Sequence, residues 1–141
     1  MPKITPEEIH EMSQTQLPWA VDMGFTVDEI GTGTCRVRMP YKPAFVRPGG
    51  TVAGPLLMGL ADFAMYVAVL SEIGRVELAV TTNLTCNFLR RPKPRAVIGE
   101  ARLLKLGKRL AVGEVSLFTE GEEGEGPVAH VTATYSIPPE R

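Results

Sequence analysis

The sequence predicts an α+β fold in which one long helix is wrapped by a curved antiparallel sheet. The segment 54–70, running from Gly54-Pro55-Leu56-Leu57 to Val69-Leu70, is apolar almost all round. A helix with no polar face is normally enclosed by the rest of its protein. Six runs alternate apolar and polar residues with the period of two that marks a half-buried strand, two of them before this helix and four after it. One helix and one antiparallel sheet bury each other only where the sheet curls round the helix.

Thr5-Pro6-Glu7-Glu8 is a helix start: Thr5 caps, Pro6 suits the first helical position and Glu8 completes a capping box. A short helix to about Gln14 follows, and Leu17-Pro18-Trp19 leaves it; residues 1–19 form a peripheral lead-in to a single domain over 1–141. Strands over 25–30 and 34–39 are joined by Gly31-Thr32-Gly33, and in the second Cys35, Val37 and Met39 alternate with Arg36 and Arg38. Residues 40–55 make a long loop rich in proline and glycine, and such loops in compact domains are usually functional or disordered. In the run 80–89, Val80, Leu84, Cys86 and Phe88 face one way and Thr81, Asn83, Thr85 and Asn87 the other. The run 97–106 follows Arg90-Arg91-Pro92-Lys93-Pro94-Arg95, and 110–119 follows the turn Gly107-Lys108-Arg109. The run 128–137 follows Gly121-Glu122-Glu123-Gly124-Glu125-Gly126-Pro127, a stretch without periodicity that reads as a solvated hairpin loop. The tail 138–141 is expected to be loose. Short connections make the late strands antiparallel. One sheet around one helix leaves free edges and an unfinished helix flank, which predicts homo-oligomerisation.

A chain of 141 residues is enough for one domain with a real core. Fifteen basic residues balance sixteen acidic ones for a net charge of −1, so no basic field points to nucleic acid and no polybasic run to a membrane surface. The N-terminus lacks the layout of a signal peptide, and the apolar helix is short for a membrane span and broken by Asp62. Cys35 and Cys86 form no CxxC pair and are expected as small core residues of a reduced, cytoplasmic protein.

The chain carries no GxSxG, Walker loop, GxGxxG after a strand or HExxH. Its two histidines, His10 in the first helix and His130 on the polar side of the last strand, read as surface residues, which leaves a carboxylate as the candidate general base. No His/Cys/Asp/Glu cluster has metal-ligand spacing. At the start of the long helix Gly54 precedes Pro55, so the Gly54 N–H is the available donor for an anion or a developing oxyanion. Asp62 lies roughly 12 Å further along the axis. Gly59, Asp62 and Tyr66 fall on one stripe by their spacing of three and four, the one stripe of this helix that is not greasy. The pattern leaves two readings: the stripe touches solvent or a subunit contact, or Asp62 has chemical work. Either way a buried aspartate needs a partner, since burying it unpaired is costly.

Three segments together bear a family likeness. They are Arg47-Pro48-Gly49-Gly50-Thr51-Val52-Ala53-Gly54 with Leu60-Ala61-Asp62-Phe63-Ala64, then Asn87-Phe88-Leu89-Arg90, then the stretch from Gly107 to Val115. At this spacing the chain resembles the hotdog-fold acyl-CoA thioesterases of the phenylacetate-pathway (PaaI-like) type, over nearly its whole length. The resemblance implies a long helix wrapped by an antiparallel sheet, sheets joined across a dimer, dimers paired into a homotetramer, and active sites at the dimer interface. It implies hydrolysis of acyl-CoA, with Asp62 as nucleophile or general base and the Gly54 amide polarising the thioester carbonyl, the two coming from opposite subunits. The family's usual His-Gly-Gly is Ala53-Gly54-Pro55 here, and its usual Asn or Gln is Arg47. Arg47 either lies near Asp62 or holds an acidic group of the substrate, and Tyr66 orients water or the acyl chain or simply packs. Among the basic residues, Arg90, Arg91, Lys108 and Arg109 are the candidates for the phosphates of coenzyme A. No metal or cofactor is implied beyond the coenzyme A of the substrate. A non-catalytic acyl-CoA binding protein on the same fold is the alternative; dehydratase or hydratase chemistry ranks third, because such relatives pair a histidine with the acid.

Overall fold

In the computed structural model, which describes residues 1–139, the capping box is formed at the start of helix α1 (Pro6–Gln16). The Glu8 N–H donates to Thr5 Oγ1 (3.1 Å) and the Thr5 N–H to Glu8 Oε1 (3.0 Å). The chain does not leave the helical region at Leu17-Pro18-Trp19 as expected. Pro18 opens a second short helix, α2 (Pro18–Met23), which Gly24 ends at φ 79°. Proline at a first helical turn lacks only an N–H that would have had no partner there, so it starts this helix as readily as it stops the one before. His10 is not a free surface residue: its Nε2 accepts from the Val27 N–H (3.1 Å) and ties the lead-in to the sheet.

Strands β1 (Thr26–Gly31) and β2 (Thr34–Met39) follow. The long loop contains a 3-10 turn (Pro43–Phe45) and a two-stranded hairpin, β3 (Val46–Arg47) with β4 (Thr51–Val52). Helix α3 (Gly54–Ile73) comes next, then β5 (Val80–Phe88), β6 (Val97–Leu106), β7 (Leu110–Thr119) and β8 (Ala129–Ser136). The large sheet has the order β1-β2-β6-β7-β8-β5, antiparallel throughout. Helix α3 packs against all six of its strands. By length and composition α3 could cross a membrane; its buried surface is instead taken up by the sheet. Of the tail expected to be loose, Glu140 and Arg141 lie outside the described residues.

Gly113 marks the closest approach of β7 to this helix. A Cβ there would lie 2.7 Å from Met65 Sδ and 2.8 Å from the Arg102 carbonyl oxygen. The backbone atom cannot retreat, so Gly113→Ala is expected to destabilise the fold by about 1–3 kcal/mol. Urea unfolding reads this as a lowered midpoint at unchanged slope.

Two expectations about packing are corrected. Val80 does not face the helix with Leu84, Cys86 and Phe88. The register of β5 against β8 shifts between Thr81 and Asn83, so Thr81 stands opposite the buried Tyr135 while Val80 stands opposite Ser136 and is 56% exposed. Such a bulge inserts one residue and reverses which side chains point inward. Cys35 is buried, its thiol pushed up to about 12 by burial, but Cys86 is only half-buried. The acidic stretch is, as expected, an exposed loop joining β7 to β8, with surface ion pairs from Glu122 to Lys93 (2.7 Å) and from Glu123 to Arg36 (3.3 Å).

Candidate active site

Asp62 sits two turns into α3, where the apolar helix meets the first residues of β5. Thr81, turned inward by the bulge, donates its hydroxyl to Asp62 Oδ1 (2.5 Å). The Tyr135 hydroxyl, from β8, lies 2.8 Å from the same Oδ1 and 3.0 Å from the Asp62 carbonyl oxygen. Burial, reinforced by the Asp62 charge, holds the Tyr135 phenol well above its usual range, so it stays a donor. Asp62 Oδ2 takes no hydrogen bond from any described residue. No buried side-chain oxygen lacks a partner among the described residues, so Oδ2 reaches open space. That space is a hollow of about 310 Å³ lined by Trp19, Asp62, Phe63, Tyr66, Leu78 and Tyr135, among others. One carboxylate oxygen is thus fixed and the other presented.

Tyr66 lines the same hollow with its ring, while its hydroxyl donates to the Glu77 carbonyl (3.1 Å). Burial, with the Glu77 charge behind it, pushes this phenol up to about 12. Its hydroxyl is therefore committed to the backbone, and its contribution to the hollow is the ring.

Gly54 lies at the other end of the helix segment in a different hollow, of about 460 Å³, lined by Arg47, Gly54, Phe88, Leu89, Arg90 and Arg91 among others. Pro55 has no N–H, and the Leu56 N–H turns to the Ala53 carbonyl (3.1 Å). The Gly54 N–H has no acceptor among the described residues, so it is the free amide at this terminus. A Cβ at Gly54 would stand 3.2 Å from the Phe88 ring. Arg47, Arg90 and Arg91 are exposed, and none is ion-paired among the described residues, whereas Lys93 and Arg95 are drawn to Glu122. Lys108 and Arg109 stand apart from this group, at the β6–β7 turn near the Val80 end of the sheet, where Arg109 Nε donates to the Ile137 carbonyl (3.2 Å).

Within one chain, then, the structure brings Asp62 together with Tyr66 and Gly54 together with Arg47, Arg90 and Arg91, but does not join the two groups. Strand β5 runs between them, from Thr81 beside Asp62 to Phe88 beside Gly54, and it is an open edge of the sheet. Thr81 and Tyr135 were not candidates from the sequence. For Tyr135 a signal existed: it falls opposite His130, Thr132 and Thr134 in the alternation of the last strand, and a buried phenol needs an acceptor. For Thr81 there was none, because the alternation pointed it outward. Among the described residues no group of three His, Cys, Asp or Glu side chains could hold a metal ion.

Removing either hydroxyl leaves Oδ1 with one donor fewer. Thr81→Val and Tyr135→Phe are each expected to lower kcat about 10- to 100-fold, the worth of a hydrogen bond to a charged group, with little change in KM. Steady-state kinetics on the folded variants checks the split.

Comparison with known proteins shows the family and the fold. The sequence profile of the thioesterase superfamily matches residues 49–125, which span both hollows' helix and β5. A candidate thioesterase from Silicibacter sp. TM1040 is 42% identical, with a TM-score of 0.87 over 99% of this chain and 95% of its own. The phenylacetic acid degradation protein PaaI of Thermus thermophilus shares the fold at a TM-score of 0.75 and 24% identity, over 86% of this chain and 99% of its own. A candidate esterase of Saccharolobus solfataricus is 26% identical over 117 residues, 83% of this chain and 77% of the relative. These likenesses support thioester hydrolysis as the class of reaction and identify the wrapped-helix architecture as the hotdog fold. With a profile match over more than half its length, the chain belongs to the thioesterase superfamily.

Proposed function

We propose that this protein hydrolyses acyl-CoA thioesters to a free acid and coenzyme A, with each active site assembled from two copies of the chain. One observation carries the reading: the free Gly54 amide and the presented Asp62 Oδ2 lie at opposite ends of the same open edge strand. A second copy paired antiparallel along β5 puts the Gly54 end of one subunit against the Asp62 end of the other, twice, by two-fold symmetry. Exposed Val80 and Phe88, 56% and 54% accessible in the isolated chain, supply apolar surface for such a joint. Dimers of this kind then pair into tetramers.

In the assembled site the thioester carbonyl oxygen receives the Gly54 N–H and becomes the oxyanion. Asp62 Oδ2 either attacks the carbonyl carbon or takes a proton from a water that does so. The carbon–sulfur bond breaks and the sulfur leaves as the thiolate of coenzyme A. On the water route it takes the proton held by Asp62; on the nucleophilic route an acyl–Asp62 anhydride remains, which water hydrolyses to the free acid and Asp62 while the thiolate takes up the proton that the water releases. Arg47, Arg90 and Arg91, without acidic partners of their own, bind the phosphates of the nucleotide; Lys108 and Arg109 offer further positive charge at the Asp62 end. Tyr66 contributes its ring to the acyl side. The reaction needs no group beyond the coenzyme A of the substrate.

Thiol release from a panel of acyl-CoAs tests this, and turnover of at least one member is the expected result. Ala53 and Arg47, where the resemblance leads one to expect histidine and an amide, favour one other reading: an acyl-CoA binding protein without catalysis. It requires binding by calorimetry and no thiol release.

A further inference from the structure

We infer that Trp19, on the short helix α2, determines which acyl groups Asp62 can act on; the inference rests on the acyl-CoA reading above. The hollow into which Asp62 opens is a trough. Helix α3 lines it with Asp62, Phe63 and Tyr66, the lead-in with Leu17 and Trp19, and the chain from Glu77 to Thr81 completes it with Tyr135. Asp62, Glu77 and Thr81 are its polar lining residues, and the rest are aliphatic or aromatic. In the isolated chain it measures about 310 Å³, roughly twice the volume that encloses a benzene ring.

Trp19 is held in that position by identifiable contacts. Its indole meets Phe25 edge to face, with centroids 5.4 Å apart at 85°, and Phe25 in turn packs on Phe63 at 5.2 Å. The indole lies over Gly59, almost one turn before Asp62 on the same stripe: a Cβ there would stand 3.5 Å from Trp19 Cζ3, at ordinary van der Waals contact. Yet the side chain remains 41% exposed. An anchored, half-exposed indole beside the reacting carboxylate is a wall that a substrate meets, while truncating it removes little of the core. Discrimination at such apolar walls amounts to about 10- to 200-fold per methylene.

Trp19 is the sole tryptophan of the chain, so its fluorescence reports on this wall alone. The wild-type protein is titrated with non-hydrolysable S-alkyl-CoA thioethers from ethyl to dodecyl, beside coenzyme A itself. The expected result is a blue shift or quench that grows with chain length until the trough is filled, and none with coenzyme A. In parallel, kcat/KM is measured over the matching acyl-CoAs for wild type, Trp19→Phe and Trp19→Ala. Trp19→Ala is expected to move the optimum to longer chains and to change the long-to-short preference by about 10-fold or more, with Trp19→Phe between the two. A length-independent fluorescence response, or an unchanged preference in a folded Trp19→Ala, overturns the inference even if hydrolysis is rapid. A length-dependent response without any turnover upholds Trp19 as the wall and removes the hydrolase reading instead.

Discussion

Asp62→Asn should leave a folded protein whose kcat is lower by about 10²–10⁴, the range that a positioned acid or base contributes. The substitution suits the site. The amide oxygen of the new side chain can still accept from Thr81 and from Tyr135, which hold Oδ1 in the wild type at 2.5 and 2.8 Å. What changes is the other atom: Oδ2, which has no partner among the described residues and opens to the hollow, becomes an NH2 group that neither attacks a carbonyl nor accepts a proton from water. Thiol release from the best acyl-CoA of the panel measures the loss, and thermal unfolding confirms the fold. A folded variant with wild-type activity would remove Asp62 from the chemistry.

Removal of the Gly54 N–H should cost about 10²–10³ in kcat, as the loss of one oxyanion donor does elsewhere. Two variants weigh the donor against the space at this position. Gly54→Ala keeps the N–H and adds a Cβ 3.2 Å from the Phe88 ring, which must shift by a few tenths of an ångström. Gly54→Pro deletes the N–H and adds the three ring carbons Cβ, Cγ and Cδ. Proline is tolerated there, because the position is the first of the helix and Ala53 before it is extended, at φ −67° and ψ 142°. The ratio of the two variants is expected at about 10²–10³ and reports the donor together with the two further ring carbons. Equal impairment of both would mean that the N–H does nothing and only the bulk matters.

Much of this architecture was legible in the sequence because its signals are local. The capping box, the strands β2, β6 and β7 and the start of α3 are written in adjacent residues, and the structure has them where the alternation and the glycine–proline step put them. What escaped depends on distant partners. Helix α2 escaped because a proline after one helix looks like an exit whether or not another begins. Hairpin β3–β4 has strands of two residues, too short for any period to register. The bulge between Thr81 and Asn83 could not be seen because alternation carries no mark of a skipped residue, and it is this skip that turns Thr81 onto Asp62. The candidate site divides in the same way. Asp62 stood out as a lone acid on an apolar helix and Gly54 as the amide before a proline. Their separation into two hollows follows from the length of helix between them and from the course of β5, which only the folded chain reveals.

The central claim is that Gly54 and Asp62 act together across two subunits, and complementation between two inactive chains tests it most directly. Asp62→Asn and Gly54→Pro chains carrying different tags are co-expressed, and total thiol release is compared with wild type and with each variant alone. If each site takes its amide from one subunit and its acid from the other, a mixed dimer contains one doubly damaged site and one intact site. Random pairing then restores about one quarter of wild-type activity, from two preparations that are each nearly dead. If both groups come from the same chain, no intact site can form, and activity no greater than that of the separate variants would contradict the account.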